Sequence, residues 1–311
     1  MPEHITTNIT PSAPLLLAFD IGNTTVLFAG LDGERVIFKT RFPTVYKQDR
    51  KRNYNLDNLD NNQDYQTGNF YANKIRDILF ENHILQRDFQ FLSCIISSVV
   101  PPVSREIQDA VYNLTNQNPL IVGPDLNTGL KFLIDAPEKL GADRIALAAG
   151  AFRLYQPPLI LIDMGTATTI DILEPPNIYP GGIILPGVQI ALDALTSRTA
   201  QLPELNLYQD FHNFYYKNNI NNKINQKIPL IGKNTMDCIR AGGLYGSAAA
   251  LDGLLDRIES EIRHPSRIIA AGGLSEIIVP LCRHSIEIHP DLLLYGLRVL
   301  YNLNHSIFHK S

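Results

Sequence analysis

No stretch of this 311-residue sequence approaches the ~18 consecutive apolar residues of a membrane helix. The first apolar run, residues 15–19, is short, follows no Lys or Arg, and ends at Asp20. It therefore lacks the basic start and the length of a secretory signal, and a cytoplasmic protein with no membrane partner is expected. Cysteine is scarce. Cys94, Cys238 and Cys282 form no CxxC pair and no Cys/His ligand spacing, which argues against a disulfide framework or a zinc site. Each lies in or beside an apolar run, so each is expected to be buried and inert. Positive charge is not in excess: 27 Lys and Arg stand against 31 Asp and Glu, a formal net charge of -4. That is no footprint for nucleic acid. An anionic substrate must then be met by local positive charge or by backbone N–H groups.

The length suggests two domains at ~100–200 residues each. Residues 1–14 are polar and are expected to be disordered. From there the pattern reads β-β-β-α-β-α-β. Strands are expected at 15–19, 24–31 and 34–40, with the Asp32-Gly33 hairpin turn between the last two. Helical spacing follows at Ile75, Ile78 and Leu79, then an apolar strand at 91–100. A helix carries Val103, Ile107, Val111 and Leu114, and a short strand covers 120–122. The pattern restarts with strands at 159–162, 168–173 and 181–185 and a helix from about Gly187. A long helix over 234–262, strands at 266–271 and 286–288, and a closing helix complete it. Two Asn-rich stretches, 47–69 and 206–228, read as solvent loops. The division expected is 15–150 and 151–311.

The restart is an internal repeat. Asp20-Ile21-Gly22-Asn23-Thr24-Thr25 matches Asp163-Met164-Gly165-Thr166-Ala167-Thr168 at the Asp, the Gly and the last Thr. Each copy lies between two strands. One D-x-G-x-x-T alone reads equally well as an ordinary hairpin turn; two at equivalent places point to chemistry. Gly lets the backbone approach a phosphate closely. The turn N–H groups and the Asn23, Thr24 and Thr25 side chains can donate to phosphate oxygens. A carboxylate at that place, Asp20, suits Mg²⁺ held between it and a triphosphate. Asp163 can bind a cation, and Thr166 can reach phosphate. The topology resembles the acetate kinase/sugar kinase/heat-shock-70/actin superfamily, an α/β class of two related domains with an actin-like, ribonuclease H-like fold and ATP clamped between them.

Three further segments carry small residues or charge. In Ala270-Ala271-Gly272-Gly273, a strand runs into a Gly pair that could let an adenosine lie on the backbone, or could serve close helix–strand packing. Gly242, Gly243 and Gly246 inside the long helix each cost ~1 kcal/mol relative to Ala, so they are expected to serve close contact, with a ligand or, the favoured reading, with another helix. Gly141-Ala142-Asp143-Arg144 opens a helix. An Asp there is commonly a cap, but an Asp–Arg pair also places a base beside an anion clamp.

Together, D-I-G-N-T at 20–24, G-A-D-R at 141–144, D-M-G-T-A-T-T at 163–169 and P-G-G-I-I-L-P-G at 180–187 resemble the type III pantothenate kinase family from about residue 15 to the C-terminus. The resemblance implies ATP-dependent phosphorylation of pantothenate to 4′-phosphopantothenate, the first step of coenzyme A synthesis. It makes Asp143 the general base and Gly141, Ala142, Asp143 and Arg144 the pantothenate-binding segment, with Thr235 a further substrate contact. Asp20, Ile21, Gly22, Asn23, Thr24, Thr25, Val26 and Leu27 match the ATP segment, and Thr166 a further ATP contact. Asp163 matches the ligand of an activating monovalent cation, potassium or ammonium, while Asp20 meets Mg through the phosphates. A homodimer is also implied. The sequence departs from the pattern at Ile134, where the family often has Tyr; a hydroxyl contact is absent there or supplied elsewhere. The Asn-rich stretches are long for the family. A non-catalytic regulator on the same scaffold, or a superfamily kinase for another acid or sugar, are the competing readings. The intact Asp20, Asp143 and Asp163 argue against the first, and G-A-D-R against the second.

Overall fold

The computed structural model describes residues 15–46, 70–84, 92–199, 201–207 and 229–308. The expected disorder of residues 1–14, and the reading of 47–69 and of nearly all of 206–228 as loops, fall outside the described residues. The described residues fall into two units by contact. The first takes those of Met1–Asn127, Leu140–Ala146 and Leu294–Ser311; the second takes those of Thr128–Lys139 and Leu147–Leu293. The 15–150 and 151–311 division follows chain order, whereas this grouping is discontinuous and sets 294–311 with the first unit.

The first unit is built on β1 (Leu15–Ile21), β2 (Thr25–Asp32), β3 (Arg35–Pro43), β4 (Leu92–Ser98) and β5 (Leu120–Ile121), in sheet order β3-β2-β1-β4-β5. β1 runs antiparallel to β2 and parallel to β4. It is apolar on both sides because both faces are covered, as its burial shows. Edge strand β3 instead alternates, burying Phe38 and Phe42. Phe19 stacks on Phe28 at 4.2 Å, and Phe38 meets Phe28 edge-on at 5.0 Å. Helix α1 (Phe70–Glu81) adds Tyr71, Ile75, Ile78 and Leu79 to this core. Helix α2 (Pro101–Thr115) begins on two prolines, which suit a first turn that lacks N–H partners anyway. It ends at Asn116, in the left-handed region at φ 53°.

The second unit repeats the plan. β7 (Leu159–Met164), β8 (Ala167–Glu174), β9 (Ile178–Pro186), β10 (Arg267–Ala271) and β11 (Ile286–Ile288) take the order β11-β10-β7-β8-β9. An additional β6 (Lys131–Phe132) pairs parallel to β9 at the edge. Two residues are too few for a period, so the sequence gives no sign of β6. Helix α3 (Ala142–Leu154) precedes this sheet. Helices α4 (Val188–Ser197) and α5 (Thr235–Ile262) cover one face. Helix α5 turns Leu244, Ala248, Leu251, Leu255 and Ile258 inward at helical spacing. Asn234 caps it, its side chain accepting from Asp237 N at 2.9 Å. Helix α6 (Ser275–Ile278) follows β10, and α7 (Leu292–Phe308) ends the described chain. No helix among the described residues is long and apolar enough to cross a membrane.

The cysteines depart from expectation once. Cys94 is buried and Cys282 half-buried, but Cys238 is exposed. It sits in the first turn of α5, where Gly232 folds against it; a Cβ on Gly232 would meet the Cys238 backbone. Burial pushes the Cys94 thiol well up, and burial together with the Asp252 charge lifts Cys282 to about 11.

Candidate active site

The first Asp-x-Gly turn joins β1 to β2. Gly22 N donates to Thr25 O at 3.0 Å, and Thr44 Oγ1 to Gly22 O at 2.7 Å, so the tip is tied to the chain beyond β3. Asn23, Thr24 and Thr25 are exposed at this tip, while Ile21, Val26 and Leu27 point into the core. Those three can offer a ligand only backbone groups. Asp20 stands opposite Ser97 of parallel β4, and the fully buried Ser97 Oγ donates to Asp20 Oδ1 at 2.8 Å.

The G-A-D-R segment lies in the same unit. Ala142 is buried, and Asp143 lies in the first turn of α3 with its Oδ1 accepting from Arg144 N at 2.8 Å. Asp143 thus satisfies one N–H of the helix's first turn from within the helix, while Gly141 stands at the cap position. Gly141 is required by this arrangement, since a Cβ there would stand 2.5 Å from Asp143 Oδ1. One residue touches both segments. Val99 N donates to Ile21 O at 3.1 Å, and Val99 Cγ1 lies 3.8 Å from where a Cβ on Gly141 would be.

The second turn, in the other unit, has the same closure, Gly165 N to Ala167 O at 3.0 Å. Asp163 pairs with Thr169 on β8 and Ala271 on β10. Thr169 Oγ1 is buried without a hydrogen-bond partner among the described residues. Thr166 is exposed at the tip. Two glycines make room. A Cβ on Gly187 would strike the Thr166 carbonyl, and one on Gly272 would stand 2.6 Å from Asp163 Oδ1. Gly272 has φ +88°, which a side chain disfavours in any case. It lets the turn after β10 pack closely on the Met164 backbone of β7.

Thr235 is the first residue of α5 and lines an apolar cavity of about 610 Å³ with Met164, Thr168, Leu192, Gly242 and Gly246. Met164 and Thr168 oppose each other across β7 and β8, one residue out of step with the Asp163–Thr169 pair. Thr235 and Asp163 therefore occupy opposite faces of one sheet, and the structure does not bring them together within this unit. Gly243 packs on Leu192 as expected of a helix contact, but a Cβ on Gly242 or Gly246 would meet nothing within 4 Å among the described residues. Ile134 packs beside Gly181. No group of three or more His, Cys, Asp or Glu suited to a metal ion occurs among the described residues.

Sequence reasoning missed Ser97, which sits in an apolar strand and carries no motif. Gly187 and Thr169 belong to the recognised motifs, but the approach of Gly187 to Thr166 and the pairing of Thr169 with Asp163 come from the fold.

The fold is that of actin-like ATPases. The chain superposes on MreB 5 of Spiroplasma citri with a TM-score of 0.52 at 9% identity, over 96% of this chain and 99% of that one. It superposes on the ethanolamine utilization protein EutJ of Carboxydothermus hydrogenoformans with a TM-score of 0.50 at 12% identity, over 94% and 92%. Sequence carries the likeness further. A protein of Syntrophotalea carbinolica named type III pantothenate kinase is 31% identical over 93% of this chain and 99% of its own length. One of the same name from Syntrophus aciditrophicus is 32% identical over 93% and 100%. The family profile described as type III pantothenate kinase matches residues 16–257. With its two Asp-x-Gly turns and its G-A-D-R helix start in place, the chain belongs to the type III pantothenate kinase family, a family of kinases.

Proposed function

We propose that the protein transfers the γ-phosphoryl group of ATP to the 4′-hydroxyl of pantothenate, yielding 4′-phosphopantothenate and ADP, the first step of coenzyme A synthesis. The observation that carries this reading is the nearness of both segments to Val99, whose N–H bonds Ile21 O and whose side chain lies beside Gly141 in the same unit. A phosphate-binding turn and a carboxylate base on one rigid frame are what in-line transfer to an alcohol requires.

In this reading the N–H groups and hydroxyls of residues 22–25, with Thr166, hold the phosphates. Residues 141–144 and Thr235 hold pantothenate. The Asp143 carboxylate, fixed by Arg144 N, accepts the hydroxyl proton as the alcohol oxygen bonds to the γ-phosphorus and the bond to ADP breaks. Asp20, an oxygen donor at the turn, fits Mg²⁺ carried by the phosphates; when bound, the ion neutralises charge on the transferring group. Asp163 fits a monovalent cation, potassium or ammonium, as supported by the orphan Thr169 hydroxyl opposite it. The chain acts as a homodimer, which suits a Thr235 remote from Asp163 within its own unit.

The test is phosphorylation of pantothenate by ATP, with product identified by mass and assayed with and without potassium. Absence of 4′-phosphopantothenate under both conditions overturns the reading. Asp143→Asn is expected to fold normally and lose about 100-fold or more in kcat; near-normal turnover would leave Asp143 only a cap. Asp163→Asn is expected to blunt the potassium response, and an unchanged response would move the cation elsewhere.

A further inference from the structure

The two Asp-x-Gly turns are equivalent in register but not in surroundings. Asp20 stands opposite Ser97 on the parallel neighbour strand, and Asp163 stands opposite Ala271 on its own. The first pair is joined by a side-chain hydrogen bond, Ser97 Oγ to Asp20 Oδ1 at 2.8 Å. The second pair cannot be, because Ala has no donor. The residue after Ala271 is Gly272, which packs so closely that a Cβ there would stand 2.6 Å from Asp163 Oδ1.

A hydroxyl on a core strand needs a reason. Ser97 has no exposed surface, and its neighbour Ile96 is equally buried. Burying a hydroxyl is costly unless it is hydrogen-bonded. Its acceptor here is a carboxylate at the end of the adjacent strand, and a bond to a charged acceptor is the stronger kind. Ser97 also begins a short segment that braces the site. Ser98 Oγ accepts from Val100 N at 3.0 Å, Val99 N reaches Ile21 O, and Val99 abuts Gly141. Ser97 thus connects this brace directly to the carboxylate.

We propose that Ser97 is a positioning residue for phosphoryl transfer, its hydroxyl fixing the orientation of the Asp20 carboxylate toward Mg-ATP. The inference rests on Asp20 facing Mg-ATP, as in the function proposed above. Without the hydroxyl the strand pairing remains, since that is made by backbone groups, but the carboxylate loses a fixed partner. The loss falls on metal-dependent nucleotide binding and spares pantothenate.

The test compares Ser97→Ala and Asp20→Asn with the unaltered full chain. Calorimetry without pantothenate reads the affinity for Mg-ATP and for metal-free ATP, and kinetics reads KM for pantothenate. Ser97→Ala is expected to weaken Mg-ATP binding about 10-fold, the scale of losing a residue that orients a metal-facing ligand. Metal-free ATP affinity and the pantothenate KM stay within about twofold of the unaltered protein on the same reasoning. An unchanged Mg-ATP affinity in Ser97→Ala, with Asp20→Asn impaired, overturns the role of Ser97 and leaves Asp20 standing. Equal weakening of metal-free ATP and Mg-ATP also overturns it, because the turn itself would then have moved. An Asp20→Asn protein with unaltered Mg-ATP affinity overturns the reading of Asp20 and the inference with it. Should Ser97→Ala fail to fold, Ser97→Cys keeps the volume with a weak donor. Selective loss of Mg-ATP affinity there supports the role, and unaltered affinity overturns it.

Discussion

Two glycines beside two carboxylates separate geometry from stability at the scale of single residues. A Cβ on Gly141 would crowd only a side-chain oxygen, that of Asp143, at 2.5 Å. The carboxylate can swing aside. Gly141→Ala is therefore expected to fold with a melting temperature close to the original and to lose about 10–100-fold in kcat, since small misplacements of a reacting group are costly. Gly272→Ala meets backbone instead, with Met164 N at 2.5 Å, and forces a side chain into φ +88°. It is expected to lose about 2–4 kcal/mol of stability, read by denaturant unfolding. If both variants behaved alike, the contrast between side-chain and backbone crowding would be wrong. These positions also show what one sequence reveals. The glycines were visible as motif members, but their reasons lie in contacts with Asp143, Met164 and Thr166. Ser97 was illegible because a lone Ser in an apolar run is ordinary strand composition. Cys238 was misplaced because helical position, not the neighbouring sequence, decides its exposure.

At the scale of elements, one buried carboxylate fastens α5 to the start of β11. Asp252 is 3% exposed. Its two oxygens accept from the Arg283 and His284 backbone N–H groups and bond to His284 Nδ1 at 2.8 Å. Burial works to raise its pKa, but the bonds from His284 and Arg283 outweigh burial and hold it below the ordinary carboxylate range. A depressed carboxylate adds stability above its unfolded pKa of about 4, and that stability is lost as pH falls through the lower folded value. Asp252→Ala is expected to cost about 2–4 kcal/mol at neutral pH and to flatten the decline of stability below about pH 4. Unfolding curves at neutral and acid pH check both; an equal acid decline in the variant would assign it to other groups. The elements joined here were legible, because an apolar run marks β10, alternation marks the short β11 and helical spacing marks α5. The join was not, since Asp252 reads as a surface position on a helix and His284 as a loop residue.

For the whole molecule, the repeat was the most legible feature. β3-β2-β1-β4-β5 and β9-β8-β7-β10-β11 carry one strand order, as the paired motifs implied. The grouping of the last helix was not legible, because it depends on partners far along the chain. Asn304 bonds to Asn127 through both N–H and carbonyl groups, and Arg298 donates to Gly33 O at 2.8 Å. The proposed homodimer belongs to this scale, and α5 offers a way to test it. Gly242 and Gly246 weaken a 28-residue helix, yet among the described residues nothing within 4 Å of a Cβ at either position requires a glycine. A second copy packed against the apolar cavity would require one. Gly246→Leu improves helix propensity by roughly 0.8–1.0 kcal/mol, and its Cβ would meet nothing within 4 Å among the described residues, so a lone chain should tolerate it. Light scattering is expected to give about twice 34.8 kDa for the unaltered protein and a single chain mass for the variant. Turnover should fall with the dimer if Thr235 serves the site of the neighbouring copy. A variant that stays dimeric and active would place the interface elsewhere and leave the cavity of α5 unconnected with assembly.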